Sequence, residues 1–191
     1  MLSSQIRVAE SSKQSYIKVA PRGSIMKIAI AGQMASGKTT LAESLVKIGY
    51  KKVSLAGKVK EIARDLFHMG EKDRPLLQKI GMKMREIRPS VWIDYIIHLG
   101  EEYDNLVIDD VRFANEAKVL KEAGWTIIRL NIEEPLQKER LQNTYDDWEV
   151  HWNSRGDASE VEVKLIVDVD LELGAGPDAI EEMLDYLGIL M

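Results

Sequence analysis

Residues 26–40 read MKIAIAGQMASGKTT. The first seven form a continuous apolar run closed by a glycine, the pattern of a strand buried on both faces in a parallel sheet covered by helices. Residues 32–39, GQMASGKT, then satisfy G-x-x-x-x-G-K-[ST] in full. Beyond them Leu41, Leu45 and Ile48 fall on one face of a helix. Strand, glycine loop and helix in this order make a phosphate-binding loop. Its glycines let backbone N–H groups turn towards phosphate oxygens, and the helix N-terminus adds a favourable dipole. Lys38 can reach the β- and γ-phosphates, and the Thr39 hydroxyl can ligate Mg²⁺. The candidate nucleotide contacts are Gly32, Ala35, Ser36, Gly37, Lys38, Thr39 and Thr40, and the ligands they imply are ATP and Mg²⁺.

On either side of this loop, short apolar runs alternate with helical periodicity, which predicts an α/β domain with a parallel sheet. Further strands are expected at 53–56, 105–109, 126–132 and 164–168, giving five in all. Helices are expected at 59–67, 75–88, 91–99 and 114–123, and a last one opens at Pro177. Residues 57–100 form a helical insertion between the second and third strands, and 133–160 are polar and charge-rich. Residues 1–25 are polar and rich in serine, and they precede a second methionine, Met26. They read as a flexible extension ahead of one domain at 26–191.

Composition limits the function without naming it. The chain has 191 residues, 45% hydrophobic and 30% charged, as expected of one globular domain with a substantial core. A net charge of -5 argues against an extended basic surface for a nucleic-acid polymer. No cysteine is present, which excludes disulfides, zinc–thiolate sites and cysteine nucleophiles. No apolar run is long enough for a membrane span, and a reducing cytoplasm fits. His68, His98 and His151 have no metal-ligand spacing.

A phosphate loop needs a carboxylate for the metal shell, and Asp109 and Asp110 end the apolar strand NLVID at 105–109, where a carboxylate can face Thr39. Phosphoryl transfer depends on positioning and charge neutralisation, so arginines should converge on the transferred group. The candidates are Arg85, Arg88, Arg112, Arg140 and Arg155, each of which could equally be a solvated surface residue. Trp92 could wall a nucleobase or fill the core.

Residues 110–117, DVRFANEA, resemble the D-V-R-F-x-N-E-A signature of phage-type deoxynucleoside monophosphate kinases. Ser54-Leu55-Ala56 leading to Lys60-Glu61, Gln78 and Gly81 leading to Arg85 and Trp92, and Ala158-Ser159-Glu160 resemble the same family. Two positions depart from its pattern: Ala114 stands where a proline often follows the Phe, and Asp157 or Ala158 where a histidine often precedes the Ser-Glu pair. The resemblance implies a three-layer P-loop kinase, with ATP and Mg²⁺ at the loop and a deoxynucleoside monophosphate in a cleft formed by 56–92. Lys60, Arg85, Arg88, Trp92, Asp110, Arg112 and Glu160 are then the acceptor-side candidates. Of these, Arg85 and Arg112 would hold the acceptor phosphate. Residues 133–160 would be a lid supplying Arg140 or Arg155 to the transferring phosphoryl group, with Lys38 and Arg112 also catalytic. The host cytoplasm would be the location of a phage-encoded enzyme, and a homodimer is compatible with this reading. Other small-molecule kinases with the same loop, such as dephospho-coenzyme A kinase or adenylate kinase, differ from it only in acceptor. A nucleotide-controlled binding module is the rival of a different class, but neither N-K-x-D nor an Asp-x-x-Gly after the acidic strand is present.

Overall fold

The computed structural model describes residues 7–8, 26–153, 168–172 and 178–189. Its strands are β1 (Arg7–Val8), β2 (Lys27–Gly32), β3 (Lys51–Val53), β4 (Leu106–Ile108), β5 (Thr126–Asn131) and β6 (Val169–Glu172). Its helices are α1 (Lys38–Lys47), α2 (Leu55–Phe67), α3 (Arg74–Ile87), α4 (Val91–Glu102), α5 (Ala114–Glu122), α6 (Glu134–Thr144), α7 (Trp148–Asn153) and α8 (Ala179–Tyr186).

The strands form one sheet in the order β1-β6-β5-β2-β4-β3. All neighbours pair in parallel except β1, which runs antiparallel to β6 with Arg7 opposite Glu172 and Val8 opposite Leu171. The sheet therefore has six strands rather than five, because part of the segment read as a flexible leader closes its edge. β2 lies between β4 and β5, where the chain winds off in opposite directions, and the glycine loop leaves from its carboxyl end. Open α/β sheets bind ligands at such a switch point.

Side chains alternate across the sheet and build two cores. Ile28 and Ile30 of β2, Val107, Ile128 and Leu130 face one side with Leu41 and Leu45 of α1 and Met183 and Leu184 of α8. Ala29 and Ala31, Leu106, Ile108 and Ile127 face the other, under Ala63, Ile80, Trp92, Ile96, Ala117 and Leu120 from α2 to α5. A parallel sheet flanked by helices is thus as expected.

Several boundaries move, each for a local reason. The second strand is β3 at Lys51–Val53, not 53–56. Ser54 instead caps α2: its Oγ accepts from Gly57 N at 3.1 Å, so the chain turns helical at Leu55. β3 is the edge strand, and its exposed Lys51 and Lys52 are the charges that keep such an edge from pairing further. The last strand is β6 at Val169–Glu172, while 164–167 of the expected strand lie outside the described residues. Asp168 brings it to β5, accepting from Ile127 N at 2.8 Å through Oδ2, donating its own N–H to Ile127 O at 2.9 Å, and pairing with Lys121 at 2.7 Å. Ile48, which falls on one helical face with Leu41 and Leu45, is exposed past the end of α1, as are Leu66 and Phe67 at the end of α2 and Ile87 at the end of α3.

Candidate active site

The glycine loop is shaped by left-handed backbone at three residues, Gly32 (φ 137°), Ala35 (φ 63°) and Gly37 (φ 97°). At Gly32 a glycine is required twice over, since a β-carbon there would collide with Leu130 O on the neighbouring strand. Ala35 adopts this conformation with a side chain, at a cost of roughly 1–2 kcal/mol, so the surroundings must hold it.

They do so through four consecutive carbonyls. Lys38 Nζ donates to Gly32 O and to Gln33 O, both at 2.6 Å. Gln137 Nε2 donates to Met34 O at 2.9 Å, and Arg140 Nη1 donates to Ala35 O at 3.0 Å. With its carbonyls held by side chains, the loop is left with its amide groups as the donors able to take an anion. Ser36 adds a hydroxyl that is fully buried and has no hydrogen-bond partner among the described residues. A buried polar group of this kind calls for a ligand atom. α6, expected within a polar lid, therefore lies on the loop through two side chains one turn apart. Gln137, 1% exposed, was not anticipated; its signal in the sequence is the three-residue spacing from Arg140 behind the helix-opening Pro135. Burial lowers the Arg140 pKa from its ordinary value, the cost of placing a guanidinium against backbone. Thr39 and Thr40, in the first turn of α1, keep exposed side chains.

The two carboxylates after β4 are engaged differently. Asp110 braces the start of α2: its Oδ2 accepts from Ser54 Oγ at 2.8 Å and Ala56 N at 3.0 Å, and its Oδ1 from Leu55 N at 3.3 Å. Among the described residues Asp109 has one side-chain partner, Lys52, at 2.6 Å on Oδ2. Its Oδ1 has no partner among them, so Asp109 is the better placed of the two for a metal shell. Among the described residues no three His, Asp or Glu side chains gather into a metal cage. Mg²⁺ retained by waters, a hydroxyl, one carboxylate and phosphate oxygens needs none, and the donor set fits it.

Between the end of α3, the start of α4 and the first turns of α5, a cleft of about 380 Å³ is lined by Arg85, Ser90, Trp92, Phe113, Asn115 and Glu116 among others. Trp92 is 4% exposed and donates its indole N–H to Gly81 O at 3.3 Å, so it is both a core residue and a cleft wall. Arg85 Nη2 faces Glu116 Oε1 at 3.8 Å. Arg112 is exposed and has no side-chain partner among the described residues. Arg88 is occupied on the surface by Asp94 at 2.8 Å. Lys60 is half-buried in α2. Arg155 and Glu160 lie outside the described residues, and with them any statement about the end of the lid. The structure thus brings Lys38, Gln137 and Arg140 together at the loop, and Arg85, Trp92 and Glu116 at the cleft.

A comparison with curated protein sequences finds no match. Among solved structures, the shikimate kinase of Acinetobacter baumannii in complex with shikimate is similar at a TM-score of 0.59 and 16% identity, over 85% of this chain and 93% of that one. A sugar kinase from Janibacter sp. HTCC2649 is similar at 0.56 and 17% identity, over 88% and 96%. A gluconokinase from Sinorhizobium meliloti 1021 is similar at 0.50 and 15% identity, over 87% and 93%. At such identities the likeness is one of fold, the P-loop kinase fold. No helix among the described residues is long and apolar enough to cross a membrane. The family model described as AAA domain matches residues 28–161, which takes in the loop strand, the glycine loop, the acidic strand end and α6, and the chain belongs to that family of P-loop domains.

Proposed function

We propose that this chain transfers the γ-phosphoryl group of ATP to the 5′-phosphate of a deoxynucleoside monophosphate. The observation that carries the reading is that one chain holds both a phosphate-binding loop and a separate cleft with a guanidinium and aromatic side chains in its wall. The loop after β2 presents amides and Lys38, and the cleft between α3, α4 and α5 carries Arg85 with Trp92 and Phe113. A guanidinium for a phosphate and aromatic faces for a base suit a nucleotide acceptor, and the cleft has the volume of a small-molecule site.

In this reading a phosphate oxygen of the acceptor attacks the γ-phosphorus, a P–O bond forms, and the bond to the β–γ bridging oxygen breaks to release ADP. Lys38 and the loop amides hold the donor phosphates, while Arg85 and Arg112 hold the acceptor phosphate in line. Arg140 keeps the loop in its anion-binding shape. Mg²⁺, held by Thr39 and the Asp109 side, would neutralise charge on the donor phosphates. The reaction would take place in the cytoplasm. The acceptor residues rest on the D-V-R-F resemblance together with the cleft.

Structural likeness to shikimate kinase and gluconokinase favours a second reading, a hydroxyl acceptor on a small polar acid. Both are tested by measuring ADP formed from ATP with deoxy- and ribonucleoside monophosphates, dephospho-coenzyme A, shikimate and gluconate as acceptors. Stimulation by deoxynucleoside monophosphates is expected. Stimulation only by shikimate or gluconate replaces the first reading with the second, and stimulation by none removes both.

A further inference from the structure

Glu116 is a carboxylate that the catalytic scheme above does not use, yet it is 6% exposed in the wall of the cleft. Its Oε2 accepts from Arg112 N at 3.1 Å and from Phe113 N at 3.2 Å. These are orphan amides ahead of α5, so one oxygen closes the helix end. Its Oε1 is turned the other way, to Arg85 Nη2 at 3.8 Å. That separation is too long for a hydrogen bond and short enough for a strong charge interaction in a half-buried site. Arg85 itself is 44% exposed and makes no other ion pair among the described residues. The charged groups facing the carboxylate are therefore Arg85 of α3 and, further off, Asp110 after β4.

A buried carboxylate is retained against its desolvation only where something compensates. Two backbone amides would serve a structural cap, and a neutral glutamine side chain keeps an oxygen that can accept them, though less strongly than a carboxylate. The second oxygen, aimed at Arg85, has no such role. We propose that Glu116 is the positioning residue of the acceptor half-site, with one carboxylate fixing the backbone of Arg112 and orienting the guanidinium of Arg85 into the cleft. It acts on the acceptor through both arginines and does not itself take part in transfer. This deepens the monophosphate reading and rests on it for the name of the ligand, though not for the coupling between Glu116 and Arg85.

The test is a double-mutant cycle on Glu116→Gln and Arg85→Ala in the full chain. Glutamine retains an oxygen for the two amides, so E116Q is expected to melt no lower than wild type at pH 7.5 and to keep its ATP KM within about twofold. Its acceptor KM is expected to rise about tenfold or more with a smaller change in kcat. In the double variant the loss should be no greater than in R85A alone. An unchanged acceptor KM in E116Q, or losses that multiply, overturns the assignment. A second measurement needs no acceptor: the ¹⁵Nε–¹H signal of Arg85, identified by its absence in R85A, should shift in E116Q. If wild type accepts no monophosphate, the acceptor reading fails by itself, and the signal then decides the coupling. A shift upholds it and an unmoved signal overturns it.

Discussion

Lys38 is the residue on which the donor half depends, and its position separates a charge effect from a packing effect. Its ammonium lies on two loop carbonyls, Gly32 O and Gln33 O, within reach of any phosphate the loop takes. Lys38→Ala is expected to keep the fold, seen as an unchanged circular dichroism spectrum and midpoint, and to lower kcat by at least about a hundredfold, the usual scale for removing one preorganised electrostatic group. Wild-type turnover in K38A would sink the loop assignment. Glu116 gives a pH-dependent expectation. Burial pushes its pKa above the ordinary 4.5, against the opposing pull of the Arg112 and Phe113 amides and of Arg85. The folded chain therefore holds a proton that the unfolded chain has released, and stability falls as pH rises from about 4.5 through the raised value. E116Q lacks this loss. Urea midpoints of the two proteins should be similar in acid and diverge in favour of E116Q towards neutrality, and a difference independent of pH would contradict the assignment.

At the scale of elements, α6 is the finding that sequence periodicity did not supply. Its eleven residues are polar on most faces, so nothing marked it as a packed helix, and its one fully buried apolar side chain is Leu141. What orders it on the loop is two polar contacts, Gln137 to Met34 O and Arg140 to Ala35 O, which no pattern of hydrophobic spacing can reveal. By contrast the loop was legible to the residue, because its glycines answer a steric demand: Gly32 stands against Leu130 O. Ile48 continues the spacing of Leu41 and Leu45 yet is exposed, because periodicity extends a face past the point where the helix leaves the core. Gln137→Ala strips Met34 O of its donor in a buried setting, at a cost of about 1–3 kcal/mol if the loop stays in place. Fluorescent ATP-analogue titration is expected to show affinity reduced about tenfold, with acceptor KM within twofold. Equal affinity would mean that α6 merely rests on the loop.

For the whole molecule, the order of strands decides which perturbations reach the site. The two-sided core followed from apolar runs at β2, β4 and β5, since strands buried on both faces must lie mid-sheet. The edges were not legible: β1 is two residues long, in a polar segment, and is specified by β6 rather than by its own sequence. Two strands, β6 and β5, separate β1 from β2, the loop's starting point. β2 is also anchored independently at its own start, where Met26 N donates to Asn105 Oδ1 at 3.2 Å, a bond that an amino terminus at Met26 can still make. A chain beginning at Met26 should therefore bind an ATP analogue within about twofold of the full chain. What it loses is the short antiparallel pairing along β6, each backbone hydrogen bond of which contributes roughly 0.5–1.5 kcal/mol net before the entropy of ordering the two residues is subtracted. The expected result is a urea midpoint lower by an amount equivalent to less than about 2 kcal/mol, with unchanged nucleotide affinity. A full-length-like midpoint would show that the β1 pairing adds nothing to stability, and a loss of nucleotide affinity would show that the sheet edge reaches the loop through β6 and β5.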